Sequence, residues 1–421
     1  MKQYICVGAD VHDRSLVLKL ALGLQAPEKL RFGNTPAGRA RMIREFRNRS
    51  QAAGGAEVVL AYEASGQGFG LYDELTEAGI RCYVLAPTRI ARSPRQKRDK
   101  TDERDAELLL QLVRGHVLAN NELPAVWIPD AQTRDDREPV RARLDTMAKL
   151  TRIKTQIRCL LKRNQVRCPE EISGRWTHEY RAWLKSLSES QAALAVPGPG
   201  GRIALGSLLR QLASLEAEIV KLDQAVAALS RTPRYAGAVQ SLESLMGVGV
   251  LTAMVFLTEM GDLSRFRNRR QVAGYLGLVP SKAESGETDD RKGHITRQGP
   301  GRVRKVLCQA SWARVNRDPQ EATCYRRIVQ KNPKHKKIAL VASMRRLGVR
   351  MWHRGLRAQQ EAQKTSVSGR RAVPVPSSPA RSGYSTGPHR SAAAATSDEL
   401  EGPILDRRRS ERRGPALKCP R

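Results

Sequence analysis

The sequence predicts an α/β domain at the N-terminus, a helical arm in the middle, a mostly α-helical domain after it, and a disordered tail. Three observations carry this prediction. Buried-strand runs alternate with helical patterns over residues 1–125, a seven-residue apolar repeat runs from Leu208 to Leu229, and the composition turns to Ser, Pro, Ala, Arg and Gly after about residue 361.

The first run, YICVGAD, ends at Asp10, and after a polar turn SLVLKLAL follows, which together read as a β-hairpin with a carboxylate at the exit of its first strand. EVVLAYE is a second buried-strand run and ends on Glu63; SGQGFG breaks it, and LYDELTEAG reads as a short amphipathic helix closed by Gly79. RCYVLAP is a third β run, stopped by Pro87. A basic loop, TRIARSPRQKRDK, then leads into TDERDAELLLQLVRG, a helix with acids in its first turn, where they complement the helix dipole. Residues 126–235 form the helical linker and arm: Leu144, Met147, Leu150, Ile153, Ile157 and Leu160 recur at three- and four-residue steps. Leu208, Leu212, Leu215, Ile219, Leu222, Val226 and Leu229 then hold a period of 3.5 over three heptads, the seam of a coiled coil. That seam fits an intramolecular helical hairpin and a dimerisation arm equally. In residues 236–360, LESLMGVGVLTAMVFLTEMGD reads as helix, Gly-rich turn, helix, the outline of a helix-hairpin-helix. Residues 361–421 bury nothing and read as a basic disordered tail.

The 421 residues carry 74 Lys and Arg against 42 Asp and Glu, a net charge of +32 that self-repels unless a polyanion neutralises it. Residues 291–357 alone hold 19 Lys and Arg against Asp318 and Glu321. Nucleic acid is therefore the expected partner. An aromatic share of 5% argues against a binder built from many base-stacking platforms. The longest apolar stretch, Ser244 to Thr258, is too short to span a membrane and is closed by Glu243 and Glu259. The start MKQYICVGAD lacks the apolar core of a signal peptide, so a cytoplasmic, nucleoid-associated location is expected. Seven scattered cysteines without a C-x-x-C pair read as reduced thiols rather than a zinc ribbon or a disulfide scaffold.

Four acids stand where a divalent-metal nuclease needs them: Asp10 and Glu63 at strand ends, Asp102 and Asp105 at i, i+3 on one helix face. Strand C-terminal ends of an open α/β sheet converge on one crevice, and clustered carboxylates are costly without a cation. Two Mg²⁺ ions would neutralise them and polarise a phosphodiester. Each acid also has an ordinary reading, Asp10 as a turn starter and Asp102 and Asp105 as helix-dipole partners, whereas Glu63 has no capping role.

GADVHDRS, AYEASG and KTDERDA, in this order and at these separations, resemble the DEDD motif of the insertion sequence 110 family of transposases. The run from LMGVGVLTAMVF to GPGRVRKVL resembles that family's second signature domain, and HKKIALVASMRRLGVRMWHRGL its closing helix, so the resemblance covers about residues 1–357. It implies an RNase H-like (RuvC-like) N-terminal domain, a coiled-coil arm and a helical C-terminal transposase domain. It carries Asp10, Glu63, Asp102 and Asp105 over as a metal-binding tetrad and Ser285 in AESG as a nucleophilic serine, with Ser281 in VPSK as the weaker candidate. The implied activity is cutting and rejoining of donor and target DNA through a covalent serine–DNA intermediate, guided by a structured non-coding RNA. The implied assembly is a homodimer pairing into a tetramer. Two other readings stand beside it: a RuvC-like nuclease or Holliday-junction resolvase that uses water, and a decayed copy that only binds nucleic acid. Ser285 and the second domain count against the former, and the four acids against the latter.

The basic loop Arg89, Arg92, Arg95, Lys97, Arg98 and Lys100 precedes Asp102 directly and is expected to clamp a nucleic-acid backbone near the metal. Arg297, Arg302, Arg304 and Lys305, interleaved with glycine, are expected to grip phosphates in the second domain. Trp352, a lone tryptophan on an amphipathic helix, is expected in the core.

Overall fold

Strand β1 (Tyr4–Val11) lies at the centre of the N-terminal sheet because its apolar run lets it be covered on both faces. In the computed structural model, which describes residues 3–92, 101–190, 197–285, 288–331 and 333–370, β1 pairs antiparallel with β2 (Ser15–Leu22), and β2 antiparallel with β3 (Glu28–Gly33). On its other edge β1 pairs parallel with β4 (Glu57–Glu63), and β4 parallel with β5 (Arg81–Leu85). The order β3-β2-β1-β4-β5 is consistent with the RNase H-like domain expected from the sequence. Ile5, Val7 and Ala9 point to one face, where Met42 and Phe46 of α1 (Pro36–Ala52) and Leu75 of α2 (Gly70–Glu77) cover them. Cys6, Val59 and Ala61 point to the other, beneath Leu109, Leu110 and Val113 of α3 (Asp102–Ala119). Gly8 sets how closely α3 lies on β1: a Cβ there would stand 2.1 Å from the Ala106 carbonyl oxygen and 2.3 Å from the Leu110 amide nitrogen. β3 and α1 are additions to the elements read from the sequence.

The arm consists of α4 (Ala131–Arg163), α5 (His178–Glu189) and α6 (Pro199–Ser230). Leu205, Leu212, Ile219 and Val226 are buried at seven-residue intervals on α6. The first three pack with Leu150, Ile153, Ile157 and Leu160 of α4 and Leu184 of α5, so the seam of the heptad repeat is filled from within the same chain as a helical hairpin. The second row of the repeat, Leu208, Leu215, Leu222 and Leu229, is only partly buried.

The remaining segment contains α7 (Ala236–Glu243), α8 (Val250–Met260), α9 (Arg269–Tyr275), β6 (Pro280–Ser285), β7 (Thr288–Ile295), α10 (Gly301–Arg317), α11 (Pro319–Lys331) and α12 (Lys336–Arg370). The expected helix, turn, helix is α7 and α8. Gly247 in the turn adopts φ 82°, and a Cβ there would lie 2.7 Å from the Ala310 carbonyl oxygen of α10. The stretch carrying the candidate serines forms an antiparallel β-hairpin, β6 and β7 pairing from Pro280–Ile295 to Ser285–Thr288. One reading is corrected. The last helix runs to Arg370, so residues 361–370 are helical; residues 371–421 lie outside the described residues. Trp352 is in the core as expected, and its indole Nε1 donates to the Leu263 carbonyl at 2.9 Å. No described helix is long and apolar enough to cross a membrane.

Candidate functional site

Parallel pairing places Ala9 of β1 opposite Tyr62 of β4, so the next residue on each strand, Asp10 and Glu63, stand side by side where the two strands end. Above them begins α3. Its N-cap is Thr101, whose Oγ1 accepts from the Arg104 amide at 3.3 Å, and its first turn holds Asp102, Glu103 and Asp105, where the helix dipole favours negative charge. Because Gly8 lets α3 cross β1 in backbone contact, Asp102 and Asp105 are brought over the strand ends. The Asp105 side chain is 11% exposed and that of Asp102 54%, so the group runs from a closed inner end to an open rim.

Two further side chains sit among these acids. His12 Nε2 is 3.2 Å from Asp10 Oδ2 and 3.3 Å from Asp102 Oδ1. The Arg92 guanidinium donates to Glu63 and stands 3.6 Å from Asp105 Oδ1. The acids thus form two pairs, an outer one bridged by an imidazole and an inner one bridged by a guanidinium. One ligand atom each from Asp10, His12 and Asp102 lies within 4.8 Å of the others, a spacing that one divalent ion can satisfy. His12 is the residue the sequence reading missed; its signal was the D-x-H step of GADVHD. Its turn is tied down by Asn34, whose Nδ2 donates to the His12 carbonyl at 2.7 Å, and by Gln67, whose Nε2 donates to Asp13 Oδ1 at 3.0 Å.

Of the basic loop, Arg89 is exposed, Arg92 turns inward onto the acids, and Arg95, Lys97, Arg98 and Lys100 lie outside the described residues. In the second region Arg297 and Lys305 are exposed. Arg302 pairs with Asp145 of α4 at 3.0 Å. Arg304 Nη1 donates to the carbonyls of Leu276, Gln298 and Gly299 at 3.1–3.2 Å, and burial, with Arg297 nearby, lowers its pKa from the ordinary arginine value. Ser281 Oγ donates to the His294 carbonyl at 3.0 Å, whereas Ser285 is the last residue of β6 and its side chain lies outside the described residues.

A family model described as transposase IS116/IS110/IS902 family matches residues 239–326, and a second, described as transposase and named for the DEDD motif and insertion sequence 110, matches residues 7–164. The chain belongs to the IS110/IS116/IS902 family of transposases. Among its relatives, a Sinorhizobium fredii protein named as a transposase is 35% identical over 257 residues, 61% of this chain and 58% of that protein. The transposase for insertion sequence element IS1533 of Leptospira borgpetersenii is 24% identical over 315 residues, 74% of this chain and 86% of its own. The transposase for element IS1111A of Coxiella burnetii is 23% identical over 255 residues, 60% and 64% of the two chains. The chain spans 58% of the length of the first of these relatives. The DEDD domain of this family implies a divalent metal, and the oxygen-rich donors at the ends of β1 and β4 fit one.

Proposed function

We propose that this chain is the transposase of a bacterial insertion sequence, cutting and rejoining donor and target DNA, with an RNase H-like N-terminal domain as its metal-dependent half. The observation that carries the reading is the convergence of Asp10 and Glu63, from neighbouring parallel strands, with Asp102 and Asp105 from the first turn of α3, in a chain of this family. These four residues would hold two Mg²⁺ ions, which when bound supply charge stabilisation at a scissile phosphodiester. His12 orients Asp10 and Asp102, and Arg92 offsets the repulsion between Glu63 and Asp105.

Ser285 is the proposed nucleophile, and its place at the tip of the β6–β7 hairpin suits a group that must reach a partner surface. Its Oγ forms a bond to phosphorus, one phosphorus–oxygen bond to deoxyribose breaks, and the serine proton passes to the departing deoxyribose oxygen, which leaves as a hydroxyl. Rejoining reverses these events with the hydroxyl of the other strand. Selection of sites by a structured non-coding RNA, and action as a dimer pairing into a tetramer, complete the proposal.

The test is a covalent adduct. Incubation with DNA, guide RNA and Mg²⁺ followed by denaturing electrophoresis is expected to show a protein–DNA species that Ser285→Ala and Asp10→Asn both abolish while leaving DNA binding within a few-fold. An adduct that survives Ser285→Ala overturns the nucleophile, and DNA breaks without any adduct return the reading to hydrolysis by water.

A further inference from the structure

The far end of the arm carries a charge arrangement that the strand-exchange site does not use. From Lys149 to Arg167 there are seven Lys and Arg and no Asp or Glu. Lys154, Arg158 and Lys162 follow one another at i, i+4 and i+8 and so form a ridge on α4. Arg158, Lys162 and Arg167, with Gln165 and Tyr180, line a recess of about 700 Å³ where α4 turns back towards α5. A volume of that order lies within the range of small-ligand sites, about 300–1,000 Å³. At this end Trp176 is flanked by two cations, Lys154 Nζ at 5.1 Å and the Arg158 guanidinium carbon at 5.8 Å from its ring centroid.

The ordinary explanations cover only part of this. Lys162 and Arg163 in the last turn of α4 complement its dipole. Arg158 lies more than a turn earlier and Arg167 beyond the helix, and neither gains from that effect. Nearby, Glu216 is taken up by Arg181 and Lys154. Among the described residues Arg158, Lys162 and Arg167 pair with no carboxylate. Three cations around a nucleotide-sized recess with an aromatic beside it match a phosphate and an unpaired base. Arg158 lies about 40 Å along α4 from its start, where Arg134 pairs with Asp73 of α2.

We infer that the tip of the arm is a second nucleic-acid site that takes an unpaired nucleotide, its phosphates on Arg158, Lys162 and Arg167 and its base beside Trp176. This goes beyond the proposed reaction, since it requires a polyanionic partner and neither the acids nor Ser285. A base held in a Watson–Crick pair cannot enter such a recess, so the occupant is an RNA loop or a displaced DNA strand.

The test uses the full chain with Arg158→Gln, Lys162→Gln and Arg167→Gln combined, and separately the single Arg158→Glu. Binding of labelled oligouridylate, oligothymidylate and blunt duplex DNA is measured over a range of NaCl concentrations. The triple variant is expected to lose tenfold or more in affinity for the unpaired probes at low salt. Its slope of log K against log salt is expected to flatten by about 2, with duplex affinity changed less than twofold and the melting temperature unmoved. Arg158→Glu is expected to move the unpaired probes in the same direction. Stronger loss for oligouridylate assigns the recess to RNA, and stronger loss for oligothymidylate to a displaced DNA strand. Equal loss for duplex and unpaired probes, or no loss for either, overturns the site. Adduct formation through Ser285 is read in a different assay, so failure of one reading leaves the other standing.

Discussion

A single hydrogen in place of a methyl group decides where half of the acids stand. Gly8 faces the backbone of α3, and Gly8→Ala would drive a carbon into the Ala106 carbonyl and Leu110 amide, neither of which can rotate away. The helix must lift, and Asp102 and Asp105 lift with it. Gly8→Ala is expected to cost about 2–3 kcal/mol in chemical denaturation and to weaken divalent-metal binding by calorimetry, with α-helix content unchanged by circular dichroism. Unaltered metal binding would detach the position of α3 from the site. The acids themselves were legible in the sequence because a carboxylate closing a buried strand, as Glu63 closes EVVLAYE, has no local explanation. His12 was not read as a neighbour of the acids, and Arg92 was read only as part of a nucleic-acid clamp near the metal, not as a partner of the carboxylates. Arg92 looks like its basic companions until the fold turns its guanidinium onto Glu63 and Asp105. That proximity is three-dimensional and leaves no periodic trace.

At the scale of elements, legibility followed apolar patterning. β1, β2, β4 and β5 announce themselves as runs bounded by acids, Gly or Pro, and α3 by its acidic first turn. β3 did not, because it is an edge strand with no fully buried residue. Nor did α1, which buries only Gly38, Met42 and Phe46 in an otherwise basic stretch, although Thr35 and Pro36 form a regular N-terminal signal. The β6–β7 hairpin is too polar to alternate visibly. Farther along, three helices meet on one carboxylate: Glu321 of α11 accepts from Ser343 and Arg346 of α12 and stands 3.5 Å from Arg314 of α10. Burial acts to raise the Glu321 carboxyl, but the hydrogen bonds from Arg346 and Ser343 and the charge of Arg314 outweigh it and hold it below the usual range. Its folded pKa is thus lower than its unfolded one. The stabilisation is complete above the ordinary glutamate value of about 4.3 and is lost as pH falls through the folded value. Glu321→Gln is expected to cost roughly 3 kcal/mol at neutral pH and to flatten the acid limb of a stability–pH curve. A variant that keeps the full acid limb would place that titration elsewhere.

Over the whole molecule the excess charge is uneven. Residues 291–357 and the tip of the arm are basic, while much of the sheet domain's charge is internally paired, as in Arg39–Glu74, Arg49–Glu28 and Arg81–Glu57. Duplex DNA binding by the intact chain is expected to fall with a log–log salt slope steeper than about −5, equivalent to six or more neutralised phosphates, measured by fluorescence anisotropy. A slope near zero would contradict a grip on phosphates. Helix α4 joins these regions. Arg134 pairs with Asp73 of α2, Arg137 donates to the Thr258 and Glu259 carbonyls at the end of α8, Arg141 grips the Glu259 carboxylate, and Asp145 takes Arg302 of α10. All of these anchors lie in the first half of the helix, and among the described residues the apolar side chains of its outer half pack within the arm itself. About 27 Å of this rod extends beyond Asp145, and a rod gripped at one end is a lever. A pivot of 5° at Asp145 sweeps the free end through about 2 Å, so a strained contact on α8 or α10 is carried to the tip of the arm.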